Sequence, residues 1–99
     1  MSQEVGIEIK CKVATPTVPL GTSLVTTCTL PGIKAGLPVQ MQLNQDGKWH
    51  TVLVSSAGGA NRTFSVAFGI PGKYVVRVLL PKSKFFKESA SKPLTFTVQ

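Results

Sequence analysis

Carboxylates are scarce in this chain. Four Asp and Glu stand against eleven Lys and Arg in 99 residues, and there is one histidine. General acid–base catalysis and metal binding draw on paired or clustered carboxylates, imidazoles and thiolates, so most of those chemistries lack parts here. A Ser/His/Asp triad needs a placed histidine, and His50 sits beside a turn; no nucleophile elbow or phosphate loop occurs. The expectation is a protein that is not an enzyme and holds no metal or cofactor. No apolar run approaches the roughly 20 residues of a membrane-spanning helix, so no transmembrane segment is expected. No window of helical period with a cap and a stop is found either. The start, Met1-Ser2-Gln3-Glu4, lacks the basic and apolar stretches of a secretory signal, so any export signal is expected to lie outside this piece or to have been removed.

Apolar residues, in contrast, are plentiful: 42% of the chain against 15% charged, which excludes a disordered polyampholyte. A chain of this length supports one domain spanning 1–99, with 1–6 as a loose lead-in. Along it, apolar and polar residues alternate with the period of a strand. Ile7, Ile9, Cys11 and Val13 share one parity, as do Leu24, Thr26, Cys28 and Leu30, and then Val39, Met41 and Leu43. Phe64, Val66 and Phe68 follow, then Tyr74, Val76, Val78 and Leu80, and last Leu94, Phe96 and Val98. Turn signals separate these runs: Pro19-Leu20-Gly21, Pro31-Gly32, Asp46-Gly47, Gly58-Gly59 and Pro71-Gly72. The stretch from Trp49 to Ser55 fits either parity, as an edge strand does, and Asp46-Gly47 folds it back on Val39–Leu43. The pattern predicts an all-β sandwich of about seven antiparallel strands in two sheets. Pro16 and Pro19 suit an edge segment that leaves the second strand and turns toward the last one.

The run from Gly21 to Cys28 resembles the second strand of an immunoglobulin-type domain, and Gly72-Lys73-Tyr74-Val75-Val76-Arg77-Val78 resembles its sixth, with Tyr74 at the tyrosine corner. The longer order is more similar still to the tandem immunoglobulin-like repeats of bacterial surface and secreted proteins. It comprises Gly21-Thr22-Ser23-Leu24, Val39 to Leu43, Gly47-Lys48-Trp49, Phe64-Ser65-Val66, Gly72 to Val78, and Ser89 to Val98 with Pro93-Leu94 inside it. The likeness covers about residues 13–99. It departs from antibody domains in two places. The partner position for a bridge from Cys28 across the sheets is Val76, and Trp49 follows the Asp-Gly turn instead of sitting in the core. What the resemblance implies is an immunoglobulin-like Greek-key architecture and an exported, cell-surface or extracellular setting.

A hairpin centred on Pro19-Leu20 sets Cys11 opposite Cys28, Ile9 opposite Leu30 and Val13 opposite Thr26. Opposed residues lie near the Cα separation of about 4.4–6.8 Å that a disulfide needs. Two buried free thiols fit the same register. The exported setting implied by the resemblance favours the bond.

Two surfaces invite contact. The segment 81–89 surrounds Phe85 and Phe86 with Lys82, Lys84 and Lys87 at one end of the sandwich, where binding loops gather. Adjacent residues of an extended segment point apart, so at least one ring is expected to be exposed, as a contact for an anionic polymer, a glycan or a protein; the alternative is that one ring caps the end of the core while the lysines solvate it. Trp49 and His50 form the second candidate, with Trp49 also suited to covering a sheet edge. The remaining lysines are spread along the chain, and neither a recognition helix nor an RNA-binding strand motif accompanies them, so sequence-specific nucleic-acid binding is not expected. Asn61-Arg62-Thr63 matches a glycosylation acceptor and is given no role.

The sequence thus reads as a non-catalytic, monomeric module of a larger bacterial surface or secreted protein, a spacer, adhesive arm or cell-envelope contact domain. Two alternatives stand beside it. One is a binder of glycan or anionic polymer on a phage particle or carbohydrate-active enzyme. The other is an intracellular scaffold repeat, since Pro71-Gly72-Lys73-Tyr74 and Ser91-Lys92-Pro93-Leu94 also resemble filamin-type repeats; reduced cysteines would mark it.

Overall fold

The computed structural model describes residues 6–56 and 58–99, so most of the lead-in expected at 1–6 falls outside the described residues. Described secondary structure is strand only: β1 (Lys10–Val13), β2 (Thr17–Val18), β3 (Leu24–Thr29), β4 (Val39–Gln45), β5 (Lys48–Ser55), β6 (Asn61–Val66), β7 (Gly72–Leu80), β8 (Ser89–Ala90) and β9 (Leu94–Val98). They form two sheets. The smaller has the order β1-β3-β6; the larger runs β2-β9-β7-β4-β5, with β8 also on β7.

Alternation decides what each sheet buries. Leu24, Cys28 and Phe64 from the smaller sheet meet Val39, Met41, Val76, Val78 and Phe96 from the larger in one apolar cluster, closed at its margins by Ile9, Leu30 and Ile33. Burying a side chain of this size contributes about 1.5–3 kcal/mol relative to exposure. Phe68, Tyr74 and Phe96 stack at one end of it, with the Phe68 and Tyr74 centroids 4.2 Å apart. The Tyr74 hydroxyl donates to the carbonyl of Ile70. Thr26, in the same inward row, keeps a buried hydroxyl without a partner among the described residues.

The strand count exceeds seven for two reasons. Around Pro16 the first edge leaves one sheet for the other: β1 pairs antiparallel with β3, while β2 pairs parallel with β9. The Pro16 carbonyl accepts from Thr97 N, which anchors the crossing. Near the C-terminal end, Ser91 interrupts the run between β8 and β9. Its hydroxyl accepts from Val78 N at 2.9 Å and its own N–H donates to the Val78 carbonyl, so the break leaves those β7 groups satisfied.

The β4–β5 hairpin turns on Asp46 and Gly47, both at positive φ (54° and 79°), as a type I′ turn requires. The ambiguous parity of β5 has a cause. Thr51 opposes Gln42 and Leu53 opposes Met41, so Val52 is an extra residue in a bulge and the inward parity changes there. The first pair of strands takes the expected register, with Cys11 opposite Cys28 and Val13 opposite Thr26. The two cysteines are joined in a disulfide. Cys28 is fully buried, whereas Cys11 is only half-buried, because β1 is an edge with no strand beyond it.

Candidate functional site

Two loops at one end of the molecule enclose a cleft of about 540 Å³, lined by Gly32, Lys34, Ala35, Gly36, Leu37, Phe85 and Phe86. That volume lies in the range of small-ligand sites. One wall is the β3–β4 connection. Its Ile33 is buried in the core, Gly36 N donates to the Ser56 carbonyl at 2.6 Å, and Gly32 and Gly36 take positive φ that lets the chain turn twice in five residues. The opposite wall is the 81–88 segment. Ser83 N donates to the Phe86 carbonyl at 3.0 Å and Phe86 N donates to Ser83 Oγ at 3.3 Å, which closes a tight turn around Lys84 and Phe85.

That turn separates the two rings as alternation requires. Phe86 packs against the core, and Phe85 is 63% exposed with Lys84 Nζ 5.7 Å from its ring centroid. Lys34 stands exposed on the facing wall, so the cleft has an apolar, aromatic floor and cationic margins. Lys82, Lys84, Lys87 and Glu88 are exposed on the same segment but do not line the cleft, so Lys34 is its cationic lining residue and Lys84 stands beside it over Phe85. The adjacent wall at 31–38 escaped the sequence reading, since nothing local links Lys34 to residues fifty positions away.

Arg62 holds the first wall in place. This side chain is 1% exposed, and its Nε donates to the Gly59 carbonyl at 2.7 Å, its Nη1 to Ser55 at 2.6 Å and its Nη2 to Lys34 at 3.2 Å. Burial lowers its pKa from the ordinary value, yet an arginine so placed remains a cation through any working pH. Gly58, at φ 93°, completes this corner: a Cβ there would stand 2.6 Å from the Asn61 carbonyl oxygen.

The second candidate surface is split. Trp49 opposes Asn44 and His50 opposes Leu43, so the two point to opposite faces of β5. His50 is exposed at the sheet edge, while Trp49 is half-buried on the outer face with the Arg77 guanidinium 4.4 Å from its ring centroid. A further groove, of about 620 Å³, lies between residues 7–11 and 90–94. Glu8 lies in it beside Lys10 and Lys92, so it shows less preference for one sign of charge. Among the described residues there is no cluster of three or more metal-ligating side chains, and no helix is long and apolar enough to cross a membrane.

Comparison with known proteins finds no matching family model, no matching curated protein and no matching solved structure.

Proposed function

We propose that this chain is a non-catalytic, immunoglobulin-like contact module of a bacterial surface or secreted protein, and that its loop-end cleft engages an anionic polymer of the cell envelope. The Greek-key reading is supported by the strand order β1-β3-β6 against β9-β7-β4-β5, in which β5 extends the sheet of β4 as a C′ strand does. The Tyr74-to-Ile70 hydrogen bond has the form of a tyrosine corner. The Cys11–Cys28 disulfide fits an oxidising, extracellular setting and weighs against the intracellular scaffold reading.

One observation carries the binding reading: two loops distant in sequence converge on a cleft whose side chains are aromatic, aliphatic or cationic, and never acidic. With seven net positive charges on the chain, an anionic partner is drawn in from a distance and desolvated only at the cleft. The test is retention on isolated bacterial cell-wall material. Wild-type protein should be held at low salt and released as salt rises. The triple variant Lys34→Gln, Lys84→Gln, Phe85→Ala should elute at markedly lower salt; equal retention of the two proteins removes the reading.

A further inference from the structure

The outer face of the larger sheet carries an organised polar cluster that the loop-end cleft does not use. The bulge at Val52 keeps Trp49 and Thr51 on this face while Leu53 turns inward. Across the sheet, Gln42 opposes Thr51 on one side and Arg77 on the other. The side chains are linked in a chain of contacts. Arg77 lies against the Trp49 ring at 4.4 Å, and its Nε donates to Gln42 Oε1 at 2.8 Å. Gln42 Nε2 donates to Gln40 Oε1 at 3.3 Å, and Thr51 Oγ1 donates to the same oxygen at 3.0 Å. Gln42 is only 8% exposed as a result.

Four features point to a ligand. The guanidinium is fixed in plane and direction by the indole and by Gln42, so little side-chain entropy remains to be lost on binding. Its two terminal nitrogens donate to nothing among the described residues, and they form the fork that matches a carboxylate. No carboxylate of this chain occupies the outward rows of β4, β5, β7 or β9. Amide and hydroxyl groups that both donate and accept lie beside the fork, as vicinal sugar hydroxyls require.

We propose that this face binds a carboxylate-bearing glycan, the Arg77 fork taking the uronate-type carboxylate and the Gln40–Thr51 edge taking neighbouring hydroxyls. The proposal rests on the reading of the chain as a contact module and adds a second site with a named ligand class. Gln42 is a positioning residue, acting through Arg77.

Polygalacturonate, with neutral dextran as control, serves as the probe in affinity electrophoresis and calorimetry at about 0.15 M salt. The wild-type protein should bind polygalacturonate saturably and ignore dextran. Arg77→Gln should weaken binding on the order of tenfold, as expected for loss of a paired, charge-assisted contact. Arg77→Lys, which keeps the charge but loses the fork, should weaken it too. A cooperative unfolding transition and an intact disulfide certify each variant as folded. Lys12→Gln, which removes an exposed charge on the other sheet, should retain binding, and the cleft pair Lys84→Gln, Phe85→Ala should keep the part of it that depends on Arg77. Failure of the wild-type protein to bind polygalacturonate, equal binding of dextran, or wild-type affinity in Arg77→Gln overturns the proposal. Loss in the cleft pair alone assigns the polymer to the cleft and overturns it as well. Retention on cell-wall material that follows the cleft residues would survive each of these outcomes.

Discussion

A guanidinium taken out of water with no carboxylate beside it persists only where carbonyl groups replace its hydration. Arg62 has three, one each from residues 34, 55 and 59, and so ties the β3–β4 wall of the cleft to the turn before β6. Replacing it with Met removes the guanidinium's three donations, to Gly59, Ser55 and Lys34, while Leu37 N still reaches the Lys34 carbonyl at 3.5 Å. The expected loss is about 3 kcal/mol, since hydrogen bonds from a charged group each contribute about 1.5–3 kcal/mol and water recovers part of the three. Arg62→Lys should not rescue the loss, because one ammonium cannot span the three acceptors. Urea titration of the three proteins measures this; a loss below 1 kcal/mol for Arg62→Met would show that the tie is dispensable. Arg62 shares parity with Phe64 and Val66, but a cation at the head of that run gives no apolar signal, and its burial was not expected from the sequence. Nor were the carbonyls it serves, because they are set by where two loops meet.

At the scale of elements, the disulfide fastens an edge strand of four residues that has a neighbour on one side only. Cross-linking across 17 positions is worth about 3 kcal/mol on the chain-entropy estimate. Reduction, or the Cys11→Ser, Cys28→Ser variant, should therefore lower the melting temperature by on the order of 10–20 °C for a domain of this size. Calorimetry with and without a phosphine reductant reads this, and an unchanged transition would mean β1 is held by its packing alone. The Cys11–Cys28 register could be read from alternation plus a turn, because both act over a few residues. The bulge at Val52 could not: Thr-Val-Leu-Val reads equally on either parity, and only the demand that Leu53 join Met41 in the core selects one. Likewise, Trp49 and His50 read as one surface in the sequence, and strand geometry sends them to opposite faces.

For the whole molecule, charge and shape act together. Its principal extents of 50 × 27 × 17 Å describe an elongated body, with the cleft at the loop end and the Arg77 cluster on one broad face. The excess of cations is plain from composition, but composition says nothing about where contact occurs. That required the convergence of 31–38 with 81–88. The most direct measurement is amide-resolved NMR of the isotope-labelled protein titrated with a soluble anionic cell-wall polymer. Saturable shifts should appear at both walls of the cleft, in Gly32, Lys34, Gly36 and Leu37 and in Lys84, Phe85 and Phe86, and should shrink as salt is raised. Shifts that leave both loops untouched at saturating polymer would contradict the account.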